Sequence, residues 1–112
     1  MKTSEAEGEV LNYLVAKCEG RDQFFSLNQP KHKEHCFSLM TYSTDWAQGG
    51  PIIEREGIEL FRNNEKNYWF TSKARGQIGT GPTPLVAAMR AYVASKLGDE
   101  VEIPEGLGEV TA

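Results

Sequence analysis

Apolar residues near the start of the chain repeat with the period of an α-helix. Their positions are Leu11, Leu14, Val15 and Cys18. Spacings of three and four predict an amphipathic helix with one buried face. The segment "SEAE" at residues 4–7 has the pattern of a capping box, with Ser4 as the N-cap and Glu7 reaching back to it, and Gly20 can end the helix in a left-handed cap. We therefore expect a first helix over about residues 4–19.

Residues 21–42 carry a different pattern. The apolar cluster "FFSL" at residues 24–27 predicts a short strand. The polar run "NQPKHKEH" at residues 28–35 is typical of a turn, and "FSLMTY" at residues 37–42 predicts a second strand. The two strands are expected to pair as a β-hairpin.

The segment "STDWAQGGPIIEREGI" at residues 43–58 predicts a second helix. Ser43 or Thr44 can cap its start, and Asp45 then lies in the first turn, where a carboxylate suits the helix dipole. The helix is expected to end at Gly57.

Pro51 complicates this second helix, because a proline removes one helical hydrogen bond and clashes with the preceding turn. Two structures are compatible with the pattern. In one the helix kinks at the proline; in the other Gly50 caps a second short helix in which Pro51 is the first residue. One face of the helix would carry Trp46, Gly50, Ile53 and Gly57.

A further β-hairpin follows this helix. Residues 58–62 predict a strand, and residues 68–72, rich in aromatic residues and threonine, predict its partner. The polar segment "NNEKN" at residues 63–67 is the expected hairpin loop.

The third helix has the clearest start in the chain. Residues 73–82 form an expected loop, after which Thr83 can serve as the N-cap and Pro84 as the first helical residue. Gly98 marks the end. The predicted apolar face consists of Leu85, Ala88, Met89, Tyr92, Val93 and Leu97.

Taken together, the elements predict an α+β domain in the order αββαββα. Hairpins rather than crossovers favour an antiparallel sheet of about four strands, packed by about three helices in two layers. A length of 112 residues suits one domain, which we place at residues 1–98, followed by an acidic tail at residues 99–112 that is extended or partly disordered. We expect eight residues to be mostly buried: Leu14, Trp46, Ile53, Leu60, Trp69, Leu85, Met89 and Tyr92.

Charge and composition exclude several classes of partner. A net charge of −4 argues against extended contact with nucleic acid, which depends on Lys and Arg. No apolar run approaches the roughly 20 residues of a membrane span, and no signal-peptide pattern is present. Cys18 and Cys36 form no CxxC pair, so we expect neither a structural zinc nor, in a reducing compartment, a disulfide.

The loop before the third helix is the best candidate for a binding site. Its basic residues and glycines precede a helix N-terminus, where N–H groups and the helix dipole favour an anion, and aromatic rings elsewhere offer flat faces for a base. The alternative is a loop whose glycines only turn the chain. The candidate ligand-binding residues are Lys73, Arg75, Gly79, Thr80, Gly81, Thr83 and Leu85, with Trp46 and Tyr68 as the aromatic faces.

The sequence offers no catalytic constellation. The run "HKEHC" at residues 32–36 follows a proline and is typical of a solvated turn rather than a metal site. Glu54 and Glu56 lie two residues apart, so on a helix they diverge. Phosphate-loop, metalloprotease, nucleophile-elbow and dinucleotide motifs are missing. We therefore assign no catalytic residue, metal or cofactor, and expect a protein that is not an enzyme.

Three segments carry a resemblance to a known family: "VAKCEG", "STDWAQGGPIIEREGI" and "GPTPLVAAMRAYVASKLGDEVE". They resemble the NinX-like family of small proteins encoded by tailed bacteriophages and prophages. The resemblance covers the three helices and the hairpin between the second and third. It implies a phage accessory protein acting in the bacterial cytoplasm, in a family known as a domain of unknown function.

Two functions fit this context. The first is a non-enzymatic counter-defence protein that binds and sequesters a nucleotide-type immune signal, since such sites use backbone amides, Arg and aromatic faces. The second is an inhibitor that binds a host or defence protein directly. A small nucleotide-processing enzyme ranks below both. A small domain often builds its site between subunits, so we also expect a homo-oligomer, most simply a dimer.

Overall fold

Three α-helices and one antiparallel sheet make up the part of the chain that the computed structural model describes, residues 1–21, 40–72 and 76–103. A 3₁₀ turn precedes the helices. The elements are the 3₁₀ turn Thr3–Glu5, α1 Gly8–Cys18, α2 Trp46–Glu56, β1 Leu60–Asn63, β2 Tyr68–Thr71, β3 Thr80–Gly81 and α3 Pro84–Leu97. The strands are antiparallel in the order β1-β2-β3. The predicted α+β class is confirmed.

The predicted four strands and the order αββαββα are not confirmed. Most of the hairpin expected within residues 21–42 lies outside the described residues, and residues 40–42, at its end, are not in a strand. The prediction of a loop over residues 73–82 was wrong at its end, because Thr80 pairs with Phe70 in a third strand. This strand has only two residues, too few for an alternating apolar pattern to reveal it.

Helix α1 begins later than the capping box predicted. Glu7 is the residue before the helix and makes no capping hydrogen bond through its side chain. The preceding turn is instead tied to the end of α3: the Thr3 hydroxyl donates to the Gly98 carbonyl at 2.7 Å, and the Thr3 N–H donates to the Asp99 carbonyl at 2.8 Å. The predicted end is confirmed, because Gly20 has a φ of +75°.

Helix α2 is continuous through Pro51. Its N-cap is Asp45, whose carboxylate accepts the Ala47 N–H at 3.0 Å, so the prediction of Ser43 or Thr44 as the cap was wrong. The end is as predicted: Gly57 has a φ of +67°.

The buried face of α2 differs from the one that hydrophobic spacing predicted. Gly49 and Ile52 are buried, whereas Trp46 is 52% exposed. A Cβ at Gly49 would lie 2.6 Å from both Leu85 Cδ1 and the Tyr42 carbonyl. The missing side chain therefore lets α2 approach α3, and this contact turns Trp46 outward.

Helix α3 is the centre of the core. It packs against α1, α2 and one face of the sheet, and residues on all sides of it are buried: Leu85, Ala87, Ala88, Met89, Ala91, Tyr92, Val93 and Ala94. The predicted burial of Leu14, Leu85, Met89 and Tyr92 is confirmed. Ile53, Leu60 and Trp69 are less deeply buried but are still more buried than exposed, as predicted. The prediction for Trp46 was wrong.

Replacing Trp46 by alanine is expected to lower the free energy of unfolding by about 1 kcal/mol or less, because the side chain is largely in water. Replacing Ile52, six residues along the same helix and 2% exposed, by alanine should cost about 2–5 kcal/mol. Urea unfolding of the two variants compares them directly. A larger loss for Trp46→Ala than for Ile52→Ala would show that the helix buries its other face.

The first residues after α3 run extended beside the N-terminal segment. The Val101 N–H donates to the Met1 carbonyl at 2.9 Å, and Lys2 and Glu100 form an antiparallel bridge. This arrangement encloses a cleft next to β3. Within the described part of the chain, no helix has the length and apolar character needed to cross a lipid bilayer.

Candidate functional site

The glycines before α3 serve packing. The Gly79 N–H donates to Thr71 Oγ1 at 3.0 Å, and its carbonyl accepts the Thr71 N–H at 3.0 Å. A Cβ on Gly79 would lie 2.1 Å from the Ala87 carbonyl, and one on Gly81 would lie 2.8 Å from Val86 Cγ1. Both glycines therefore bring the chain against α3, and the Gly79 N–H is not free for a ligand.

One backbone N–H at the N-terminus of α3 is bonded by a side chain of the protein itself. Thr83 is the N-cap, as predicted, and its Oγ1 accepts the Val86 N–H at 3.1 Å. Leu85 is 2% exposed, and its side chain packs at Gly49. The predicted use of these N–H groups for an anion therefore loses one of its donors to the cap.

The remaining predicted residues are spread over the molecule. Lys73 and Arg75 lie outside the described residues. Trp46 begins α2, and Tyr68 lies on the face of β2 that α3 does not cover. Gly79 and Thr80, which are adjacent in the chain, both lie at the edge of a cleft.

This cleft, which we call the β3 cleft, has a volume of about 380 Å³. It lies between the N-terminal 3₁₀ turn, the β3 edge and α3. Its walls carry hydroxyl, amide and charged groups beside one exposed isoleucine. The lining residues are Lys2, Thr3, Ser4, Gln77, Ile78, Gly79, Thr80, Arg90, Ala94, Asp99 and Glu100.

Arg90 is the central cation of the β3 cleft. Its Nε donates to the Ala6 carbonyl at 2.7 Å and its Nη1 to the Thr80 carbonyl at 2.8 Å, which fixes the guanidinium plane. A guanidinium has five N–H donors, and these two bonds use two of them. Among the described residues, no carboxylate lies within 4 Å of it.

The surroundings of Arg90 disfavour its charge. Burial lowers the pKa of the guanidinium below its ordinary value, because the charged form loses water, and Glu7 acts in the opposite direction. A half-buried cation without an ion-pair partner can gain from an anion that supplies bidentate acceptors.

The rest of the β3 cleft has mixed charge. Lys2 adds a second cation, while Asp99 and Glu100 are acidic residues that also line the cleft, and the Glu100 carboxylate lies 3.8 Å from the N-terminal ammonium. A simple anion would be repelled by these acids. Two cations beside two acidic residues suit a ligand that carries an anionic group together with hydrogen-bond donors such as hydroxyls or amines.

A second groove, about 440 Å³, lies between the end of α1 and α2. Arg55, one of the two arginines that line it, is already neutralised. Arg55 donates from Nη1 and Nη2 to the Glu19 carboxylate at 3.1 and 2.7 Å, and from Nε to Glu56 at 3.0 Å. Tyr92 completes this network by donating to Glu19 Oε2 at 2.5 Å. We regard it as a junction of three helices rather than an anion site.

Among the described residues we find no reactive thiol and no cluster of side chains that could hold a metal ion. Burial raises the pKa of the Cys18 thiol to about 11, so it is protonated at neutral pH. Within that part of the chain, no group of three or more His, Cys, Asp or Glu residues could hold a metal ion. The histidines of residues 32–36 lie outside the described residues.

Sequence reasoning missed Arg90. It is the only basic residue within residues 84–95, an otherwise apolar or small stretch of α3. A lone arginine among residues that pack on all sides is a signal that a cation is held close to the core. Because we predicted a single apolar face for α3, we did not identify Arg90 as a cation held close to the core.

The sequence was compared with known proteins. No curated protein matches it. Residues 2–96 match the sequence model of the family described as Bacteriophage P22, NinX. Because the match spans most of the chain, including all three helices and the sheet, the protein belongs to the NinX family of bacteriophage proteins.

Proposed function

We propose that this phage protein is a non-enzymatic accessory protein that binds and sequesters a nucleotide-type immune signal in the host bacterial cytoplasm, through the β3 cleft. The observation that supports this most is Arg90, whose guanidinium is held in place by two carbonyls and, among the described residues, has no carboxylate partner. A phosphate can accept two parallel hydrogen bonds from one guanidinium, so this contact fixes the orientation of the phosphate and also pairs opposite charges.

The other walls of the cleft suit the remainder of a nucleotide. Lys2 can add charge to a second phosphate oxygen. Asp99 and Glu100 can accept hydrogen bonds from ribose hydroxyls or from a base amine. A pocket of about 380 Å³ is within the range of small-molecule sites.

Sequestration rather than turnover follows from the composition of the site. The cleft holds carboxylates and cations, and its cations are placed to bind. Among the described residues, neither a cysteine nor a histidine lines the cleft. A binding protein present in excess can act by mass action alone.

The test begins with mass spectrometry of small molecules that co-purify with the protein. Calorimetry then follows with cyclic dinucleotides, cyclic trinucleotides and cyclic ADP-ribose isomers. We expect at least one tight ligand. Arg90→Lys, which keeps the charge but removes the planar fork, should weaken that ligand at least tenfold, and Lys2→Ala should weaken it several-fold.

Lys66→Ala provides the matched control, since it removes the same charge from the exposed hairpin loop. It should leave the affinity unchanged, and the melting temperatures of Lys2→Ala and Lys66→Ala should equal that of the wild type. If no nucleotide binds, or if the cleft variants bind like the control, sequestration through this cleft is wrong. Direct inhibition of a host or defence protein is then the better hypothesis.

A further inference from the structure

One face of the sheet carries a row of aromatic rings. In the register of the strands, Phe61 lies opposite Phe70, and Tyr68 follows two residues away on the same side. The ring centroids of Phe61 and Phe70 are 5.4 Å apart at 25°, and those of Tyr68 and Phe70 are 6.1 Å apart at 54°. We call these three residues the aromatic face.

Helix α3 covers the other side of the sheet. Side chains alternate along a strand, and Thr71 and Gly81, which are buried towards α3, alternate with the aromatic face. Phe61 is 44% exposed, and Tyr68 and Phe70 are partly exposed. Among the described elements, none packs on these rings as α3 packs on the opposite side.

Strand β3 lies between the aromatic face and the β3 cleft, and none of the three rings lines the cleft itself. Thr80 pairs with Phe70 across the two strands, and its carbonyl accepts the bond from Arg90 Nη1. Neighbouring strands are about 4.8 Å apart, so the Phe70 backbone lies one strand away from the wall of the cleft. Ile78, 51% exposed and also lining the cleft, extends the apolar surface at this edge.

The size of this surface favours a small ligand over a protein. An aromatic side chain buries at most about 150–250 Å², and two of the three rings are already partly covered. A stable protein interface needs about 800 Å² on each partner. Three rings are therefore a small patch for a protein but a sufficient one for one or two bases, each of which has a flat apolar face.

We propose that the aromatic face stacks the base of a nucleotide whose phosphate is held at Arg90. This inference rests on the function proposed above and specifies the ligand: an aromatic base attached through a sugar to the phosphate, lying across β3. Phe70 and Phe61 supply the main stacking surface, and Tyr68 closes one end.

The proposal is tested by NMR titration with adenosine 5′-monophosphate, guanosine 5′-monophosphate and ribose 5-phosphate. All three probes should shift the Arg90 Nε–H resonance. The two nucleotides should also shift the ring resonances of Phe61 and Phe70, and should bind at least tenfold more tightly than ribose 5-phosphate.

Ring-removing variants separate stacking from phosphate binding. Phe61→Leu and Phe70→Leu keep an apolar side chain but remove the ring, and each should weaken the nucleotides by about tenfold while leaving ribose 5-phosphate unchanged. Trp46→Leu is the control and should change neither, because the structure places this exposed ring at the start of α2, outside the residues that line the β3 cleft.

The outcomes distinguish the two proposals. If the nucleotides and ribose 5-phosphate bind with equal affinity, or if the phenylalanine variants behave like Trp46→Leu, base stacking on this face is wrong while the phosphate site stands. If none of the three probes binds and the cyclic nucleotides also fail, the phosphate site and the stacking surface are both wrong.

Discussion

Replacing Gly79 by alanine is expected to destabilise the protein by about 3 kcal/mol. The added Cβ would lie 2.1 Å from the Ala87 carbonyl oxygen and 2.6 Å from the Ala91 backbone nitrogen. Overpacking usually costs about 1–3 kcal/mol. Here the opposing atoms belong to the backbone of α3 and cannot move aside by changing rotamer, so we expect the upper end of that range. Urea unfolding monitored by circular dichroism measures the loss.

Gly50→Ala is the matched control, because it introduces the same methyl group where there is room. The nearest atom to a Cβ at Gly50 is Trp46 Cε3 at 3.9 Å. Gly50 lies inside α2, where alanine is favoured over glycine. The free energy of unfolding of this variant should therefore rise by about 0.5–1 kcal/mol. Equal effects at the two positions would show that β3 does not pack closely on α3, and the β3 cleft would lose one wall.

Replacing Tyr92 by alanine is the second large effect, with an expected loss of about 3–5 kcal/mol. The side chain is 2% exposed at the place where the three helices meet. Its ring lies beneath the Arg55 guanidinium at 5.6 Å and the Lys96 ammonium at 5.9 Å. Its removal would leave a cavity and withdraw support from both cations. Thermal and urea unfolding report the change.

Tyr92→Phe separates the ring from the hydroxyl. The Glu19–Arg55 pair remains, so the variant should lose only about 1 kcal/mol. Equal losses for the phenylalanine and alanine variants would assign the stability to the hydroxyl network.

Lowering the pH should reduce the difference in stability between the wild type and Tyr92→Phe. Arg55 first, and then Tyr92, hold the pKa of Glu19 below its ordinary value. A carboxyl group with a depressed folded-state pKa stabilises the protein at neutral pH, and that contribution disappears as the pH falls through the folded pKa. The stability gap between wild type and Tyr92→Phe should therefore be smaller at the acid end than at neutral pH.

The candidate site was only partly predictable. Glycines ahead of a capped helix suggested an anion held by backbone N–H groups, and the structure uses those glycines to pack strand against helix. Gly79 and Thr80 do line the β3 cleft, but the cation there is Arg90, which comes from the middle of α3. Its position depends on carbonyls of Ala6 and Thr80, which are distant in sequence.

By itself, the sequence determined the local features of the fold. Thr83 and Pro84 mark the start of α3, and Gly20 and Gly57 mark the ends of α1 and α2, because caps and left-handed turns depend on a few adjacent residues. The hairpin between β1 and β2 is local for the same reason. These signals were sufficient for the α+β class.

Only the tertiary structure decided which surfaces meet. It placed Gly49 rather than Trp46 against α3, formed β3 from two residues, and delayed the start of α1 by tying Thr3 to the end of α3. At Gly49 and at Thr3 the decisive contact joins residues far apart in the chain. At Gly49 and Gly79 it also depends on a missing side chain, because close approach of two backbones requires the space that hydrophobic patterns do not record.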